Sequence, residues 1–174
     1  MSLPCRMELA EMIEIREAAP DDIPAIAWVH VQADWDTYSA LFGVQAYALE
    51  LGESEGRWRR ALEEGDILLV ASDGAGIIGL GHARGDRIGA LYLLRAYQRR
   101  GIGRALLMRL LAVLNQRGVA EARFDVVALN ENAIRFYRAL GAYPVGRRIN
   151  RDPRGDTEDL VFAIPTAPTS DQER

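Results

Sequence analysis

The chain has 174 residues, 49% of them hydrophobic and 26% charged, with a formal net charge of −4. That length suits one domain with a real core, and the composition is globular rather than disordered. The acidic balance argues against non-specific nucleic-acid binding, which rests on a basic surface.

Residues 1–12 read as an N-terminal extension. Residues 14–18, Glu14-Ile15-Arg16-Glu17-Ala18, alternate polar and apolar side chains and predict a first strand. Asp21 or Asp22 can cap the helix that follows, with Pro24 in its first turn. Ile23, Ile26, Ala27, His30 and Val31 fall on one face at helical spacing, so His30 reads as a core residue. Trp35 and Tyr38 close this segment, either as core filling or as the wall of a pocket. Residues 47–64 have a helical pattern broken by Gly52 and Gly56. Its firmer part is 53–64, with Trp58, Ala61 and Leu62 as the apolar face. Residues 67–71 predict a buried strand, Asp73-Gly74-Ala75-Gly76 a hairpin turn, and 77–83 the next strand. Gly85-Asp86-Arg87 turns the chain into a strand over 88–93, so these three strands are antiparallel neighbours.

Gln98-Arg99-Arg100-Gly101-Ile102-Gly103-Arg104-Ala105 lies between that strand and a strongly helical run. The first N–H groups of a helix lack intrahelical partners and lie at the positive end of its dipole. With two glycines at the mouth and three arginines around it, this turn reads as an anion site, phosphate being the usual anion. A P-loop needs Lys-Ser/Thr after the second glycine, and Arg104-Ala105 stands there. The dinucleotide fingerprint needs a third glycine, and Leu106 takes its place. Residues 104–117 carry Leu106, Leu107, Leu110, Leu111 and Leu114 on a broad apolar face, stopped by Gly118. Residues 122–128 predict a strand parallel to the one before Gln98, through a right-handed crossover. Asn130 or Glu131 opens a helix through Leu140, which Gly141 ends. Residues 143–149 and 159–164 predict a closing hairpin with its loop over 152–156, and 165–174 a fraying tail.

Cys5 is the only cysteine, which excludes an intrachain disulfide and a cysteine zinc cluster. His30 and His82 are the only histidines, with no carboxylate spacing around them that suggests a metal site. No apolar run approaches the ~20 residues of a membrane span, and the start lacks a signal-peptide core. A soluble, cytoplasmic protein without a metal, a membrane association or a nucleic-acid partner is expected.

The pattern Gln/Arg-x-x-Gly-x-Gly/Ala, met by Gln98 to Gly103, resembles the coenzyme A pyrophosphate loop of the GNAT acetyltransferases. The element order, strand, two helices, three strands, helix, strand, helix, two strands, is similar to that family's from about 13 to 164. A second segment agrees: Asn130, Ala133, Tyr137 and Gly141 match its Asn-x-x-Ala-x-x-x-Tyr-x-x-x-Gly-Phe, with Ala142 in place of the usual aromatic. The resemblance implies an α/β (α+β) fold, with a mixed, mostly antiparallel sheet of about seven strands and helices on both faces. It implies direct acetyl transfer from acetyl-CoA to a primary amine, on a small molecule or a protein. A coenzyme A-binding module without catalysis is the alternative. It places the pantetheine arm against the main chain of Leu91, Tyr92 and Leu93. The pyrophosphate falls on Gln98, Arg99, Arg100, Gly101, Ile102, Gly103 and Arg104, with Asn130 and Ala133 beside the arm. Tyr137 matches the acid that meets the leaving thiolate. The position where many relatives carry a basic glutamate holds Arg87, leaving Asp86, His82, Tyr92 or a water chain as proton acceptor. Arg87 suits an acceptor with a carboxylate or phosphate, and Trp35, Tyr38 and the 43–64 segment are expected to shape its pocket. A homodimer is a further expectation from the family.

Overall fold

The computed structural model describes residues 13–43, 49–151 and 155–167. In chain order these form β1 (Glu14–Glu17), α1 (Ile23–Phe42), α2 (Leu51–Glu63), β2 (Ile67–Ser72), β3 (Ile77–Arg84) and β4 (Arg87–Leu93). There follow α3 (Ile102–Gln116), β5 (Glu121–Val127), α4 (Glu131–Ala139), β6 (Tyr143–Asn150) and β7 (Thr157–Pro165). The order and type of the elements are those expected from the sequence. Seven strands make one sheet in the order β1-β2-β3-β4-β5-β7-β6. Every neighbouring pair is antiparallel except β4 and β5, which run parallel because α3 carries the chain across.

Strand alternation divides the core between the two faces. Leu68, Val70, Leu80 and Ala90 pack with Ile26, Ala27 and Val29 of α1 and Trp58 of α2. Ile67, Leu69, Ala83 and Ile88 pack on the other face, against the leucines of α3, with Phe124 and Phe162. One irregularity matters for the site. Ala83 pairs with Ile88 and His82 with Ala90, so Gly89 is an extra residue in β4, a bulge.

Several expectations are corrected. Asp22 precedes α1 but does not cap it with its side chain. Its carboxylate instead takes two hydrogen bonds from Arg16, at 2.6 and 2.9 Å, and one from the Ala19 N–H. Helix α2 runs through Gly52 and Gly56 without a break, because Ser54, Trp58 and Ala61 bury its inner face and outweigh the weak helix propensity of glycine. Residues 47 and 48 of that prediction lie outside the described residues, as do 1–12 and 152–154. The first residues of the expected tail are ordered: β7 reaches Pro165, and Thr166 is buried, donating to the Val119 and Ala120 carbonyls, while 168–174 lie outside the described residues. His30 is a core residue as read. Its Nδ1 accepts from Trp58 Nε1 at 3.1 Å and lies 2.7 Å from Ser54 Oγ, which joins α1 to α2.

Candidate active site

The turn after β4 is built for an anion. A 3-10 turn at Arg95–Tyr97 leads into Gln98, whose side-chain amide donates to the Leu93 carbonyl at 3.1 Å and ties the loop back to the strand. Arg99 has φ 63 and Gly101 φ 78, so both stand in the left-handed region. Glycine takes that conformation freely and arginine does not, so strain is stored at Arg99. The first intrahelical bond of α3 runs from the Ala105 N–H to the Gly101 carbonyl at 3.0 Å. The N–H groups of Ile102, Gly103 and Arg104 therefore have no intrahelical partner and project from the positive end of a 15-residue helix. Arg99, Arg100 and Arg104 are exposed around them. A polyphosphate fits this donor set: main-chain N–H groups at a helix start, ringed by guanidinium groups.

Beside this turn the sheet opens. Strands β4 and β5 share one register pair, Arg87 with Arg123, locked by the Arg123 N–H on the Asp86 carbonyl at 2.9 Å. On its other edge β5 pairs along its whole length with β7. The β5 side of β4, through Leu91, Tyr92 and Leu93, is thus unpaired main chain facing a cleft. Such an edge can bond an extended amide-containing ligand as a further strand would.

Helix α4 forms the next wall. Asn130 is its N-cap, with Oδ1 accepting from the Ala133 N–H at 3.1 Å. The cap uses the oxygen and leaves the Nδ2 donors for a ligand. It also occupies the Ala133 N–H, the group through which Ala133 could have met a coenzyme. The Tyr137 ring lies 4.4 Å from that of Phe124 and 5.0 Å from that of Phe136, centroid to centroid. Among the described residues its hydroxyl has no hydrogen-bond partner. Burial pushes its phenol far above the usual range, so it stays protonated and keeps an O–H to donate.

On the opposite face of β5 stands a carboxylate that the sequence reading missed. Phe124 and Val126 face α3 and α4, so alternation turns Asp125 the other way. Asp125 Oδ2 takes Arg87 at 2.9 Å and Arg148 of β6 at 2.8 Å. The side chain is 15% exposed, and Oδ1 is buried without a partner among the described residues. A lone acid inside the apolar run Phe124-Asp125-Val126-Val127 was a legible signal. Arg148 was not, because its neighbourhood depends on β6 reaching β5 through β7.

The other proton-acceptor candidates have their own surroundings. Asp86 is exposed at the β3–β4 turn. The Tyr92 ring packs on His30, 4.8 Å away, among the α1 and α2 side chains. His82 Nε2 lies 2.8 Å from Asp66 Oδ2, and its Nδ1 is buried against Gly89, where an added Cβ would come within 2.6 Å. Arg87 is engaged by Asp125 rather than standing as a lone cation. Trp35 is 37% exposed, and Tyr38 stacks on Phe42 with centroids 5.8 Å apart. Neither fills the core. With Trp28 and Phe42 they form a stripe along α1 beside its buried face.

Among the described residues no group of His, Cys, Asp and Glu is arranged to hold a metal, and no helix is long and apolar enough to cross a membrane. The profile of the Acetyltransferase (GNAT) family matches residues 30–142. An uncharacterized N-acetyltransferase of Bacillus subtilis, YuaI, is 33% identical over 137 residues, covering 74% of this chain and 79% of that protein. The [ribosomal protein bS18]-alanine N-acetyltransferase of Escherichia coli K12 is 41% identical over 71 residues, which span 40% of this chain and 48% of that enzyme. Among solved structures, an acetyltransferase of Salmonella typhimurium with acetyl-CoA superposes with a TM-score of 0.70. It is 16% identical, over 91% of this chain and 96% of that one. With the family profile spanning more than half of its length, the chain belongs to the GNAT acetyltransferase family and is an acetyl-CoA-dependent N-acetyltransferase.

Proposed function

We propose that the cleft between β4 and β5 is where the acetyl group passes directly to a primary amine, with Asp125 receiving the amine. One observation carries this reading. The two strands share one register pair, Arg87 with Arg123, beyond which the β5 side of β4 has no strand partner; Tyr137 packs on Phe124 of β5, and Asp125, on the other face of that strand, is bonded to Arg87 at the start of β4.

Each group then has a role set by its chemistry. The free N–H groups at the start of α3 and the surrounding arginines hold the pyrophosphate of acetyl-CoA. The β4 main chain around Leu91 to Leu93 holds the pantetheine arm. Acetyl-CoA, when bound, supplies a thioester carbonyl carbon for attack. A β4 N–H donates to the oxygen that becomes negative, a contribution worth roughly 10²–10³ in rate. Tyr137 donates a hydrogen bond toward the sulfur. Asp125 Oδ1 accepts an N–H of the incoming ammonium and takes its proton, while Arg87 and Arg148 hold Oδ2 in place. An oxygen buried without a partner costs ~1–3 kcal/mol, and an acceptor N–H supplies the missing donor. Trp35 and Tyr38 provide apolar surface on α1 for the acceptor's remaining portion.

The acceptor panel begins with a peptide starting in alanine, the amine named for the Escherichia coli relative, followed by free amino acids, polyamines and lysine peptides. Release of the coenzyme A thiol is followed for wild type and Asp125→Asn. The expected result is turnover on at least one amine, with kcat/KM for that amine about 100-fold lower in the variant, a typical loss for a proton acceptor. Acetyl-CoA affinity stays within twofold. Full activity in Asp125→Asn removes Asp125 from the mechanism. Tight coenzyme binding with no amine turnover returns the chain to a binding role.

A further inference from the structure

We propose that Tyr97 positions Arg100 for the coenzyme's phosphates, and that Asp73, on the β2–β3 hairpin turn, is the anchor that fixes Tyr97. The inference rests on the coenzyme site described above and names residues outside the matched loop motif.

The contacts form a chain from one end of the sheet to the loop. Asp73 Oδ1 accepts from the Ala75 and Gly76 N–H groups at 2.9 and 3.0 Å, which closes the hairpin turn on its own carboxylate. The Tyr97 hydroxyl donates to Asp73 Oδ2. That bond is the largest influence holding the Asp73 carboxyl below its usual range, with the turn amides adding to it. The Tyr97 ring is partly buried on Ala71, Ile78 and Ile102, so its plane is set from both the sheet and the first residue of α3. The Arg100 guanidinium lies over that ring, 5.3 Å from the centroid.

This arrangement answers a difficulty in the loop. Arg100 is an exposed side chain with about 2 kcal/mol of rotamer entropy to lose when it grips a ligand. A guanidinium resting on an aromatic face has surrendered part of that freedom beforehand. The ring can serve only if it is itself fixed. Packing restrains its position, and the bond to Asp73 restrains its in-plane direction. The β2–β3 turn thereby acts on coenzyme affinity without touching the coenzyme.

The test is a double-mutant cycle read by calorimetry with coenzyme A. Arg100→Ala weakens binding about tenfold, the value of a charge-assisted hydrogen bond. Tyr97→Leu weakens it about fivefold, and Tyr97→Phe, which keeps the ring and loses the hydroxyl, about threefold. The decisive measurement is the Tyr97→Leu, Arg100→Ala double variant. If Tyr97 acts through Arg100, the double binds no more weakly than Arg100→Ala alone. Asp73→Asn, which keeps an oxygen for the turn amides, follows Tyr97→Phe. In steady state the Tyr97→Phe loss falls in KM for acetyl-CoA and not in kcat. Factors that multiply in the double variant would overturn the proposal and make Tyr97 a packing residue. Wild type that fails to bind coenzyme A at all would remove the coenzyme site itself, a different result from multiplied factors. Thermal unfolding of each variant separates a loosened hairpin from a misdirected arginine.

Discussion

Tyr137 is partly buried against Phe124 and Phe136, and that decides what its hydroxyl can do. A phenol ordinarily titrates near 10 and a thiol near 8.5. Raising the phenol further widens the gap, so complete proton transfer to a thiolate becomes less favourable while hydrogen-bond donation remains. Tyr137→Phe therefore lowers kcat about 100-fold, the low end for acid–base groups, with coenzyme A affinity unchanged by calorimetry. The same burial makes a second, independent prediction. Because the folded-state pKa lies above the unfolded value of about 10, the buried phenol's contribution to stability is complete below that pH. It is lost as pH rises toward the folded value. Unfolding midpoints measured from pH 9 to 11 fall more steeply for wild type than for Tyr137→Phe. Parallel curves would mean that the hydroxyl already meets water. Tyr137 was legible in the sequence because it sits in a motif. Asp125 left a signal, a lone acid in an apolar run, but not its direction, because an acid in a strand can face core, solvent or cleft until the strand's pairing is known.

The start of α1 shows the same dependence at the level of an element. A sequence with Asp21-Asp22 before a helical run reads as a capped helix, and the helix is indeed there. Yet Asp22 spends its oxygens on Arg16 and the Ala19 N–H, which fastens β1 to the turn ahead of α1 instead. Side-chain hydrogen bonds from Arg16 hold the Asp22 carboxyl below its ordinary range. The sign follows: the pair's stabilisation is present above the unfolded carboxyl pKa, about 3.9, and disappears as pH falls through the lower folded value. Asp22→Asn is expected to lower the unfolding midpoint at pH 7. Its difference from wild type then shrinks between about pH 4 and pH 2, followed by circular dichroism. A constant difference down to pH 2 would assign the effect to the backbone turn. Most elements were legible from local patterns, since the leucines of α3 and the alternation in β2 to β4 report burial directly. The uninterrupted α2 was less so, because Trp58 and Ser54 hold two glycines in a helix only through contacts with α1. The Gly89 bulge left only a glycine inside a strand as its sequence sign, since its register exists only relative to His82 on the neighbouring strand.

Across the whole molecule, the sheet is continuous in order but not in strength. Pairing is extensive from β1 to β4 and again from β5 to β6, with one register pair between the halves. The halves are also joined by the Arg87–Asp125 ion pair and through α3, whose leucines pack on Ile67 and Leu69 of β2 and on Phe124 of β5. A sheet assembled this way leaves the β5-facing amides of β4 without a strand partner, and amide exchange reads that directly. In the protein alone, peptides covering residues 88–94 should exchange faster than those covering β2 or β3, although all lie in one sheet. On the proposed binding mode coenzyme A should slow exchange in two places: residues 88–94, through main-chain bonds to the pantetheine arm, and residues 101–105, through phosphate at the start of α3. Residues 67–72 keep their bonds to β1 and β3 and should not change. Protection spread evenly over the molecule would indicate global stabilisation by mass action rather than new main-chain bonds. Protection at 101–105 without 88–94 would place the phosphates correctly and move the pantetheine arm out of the cleft. The oxyanion donor would then have to come from outside β4, and the roles of Tyr137 and Asp125 would no longer share a reaction centre.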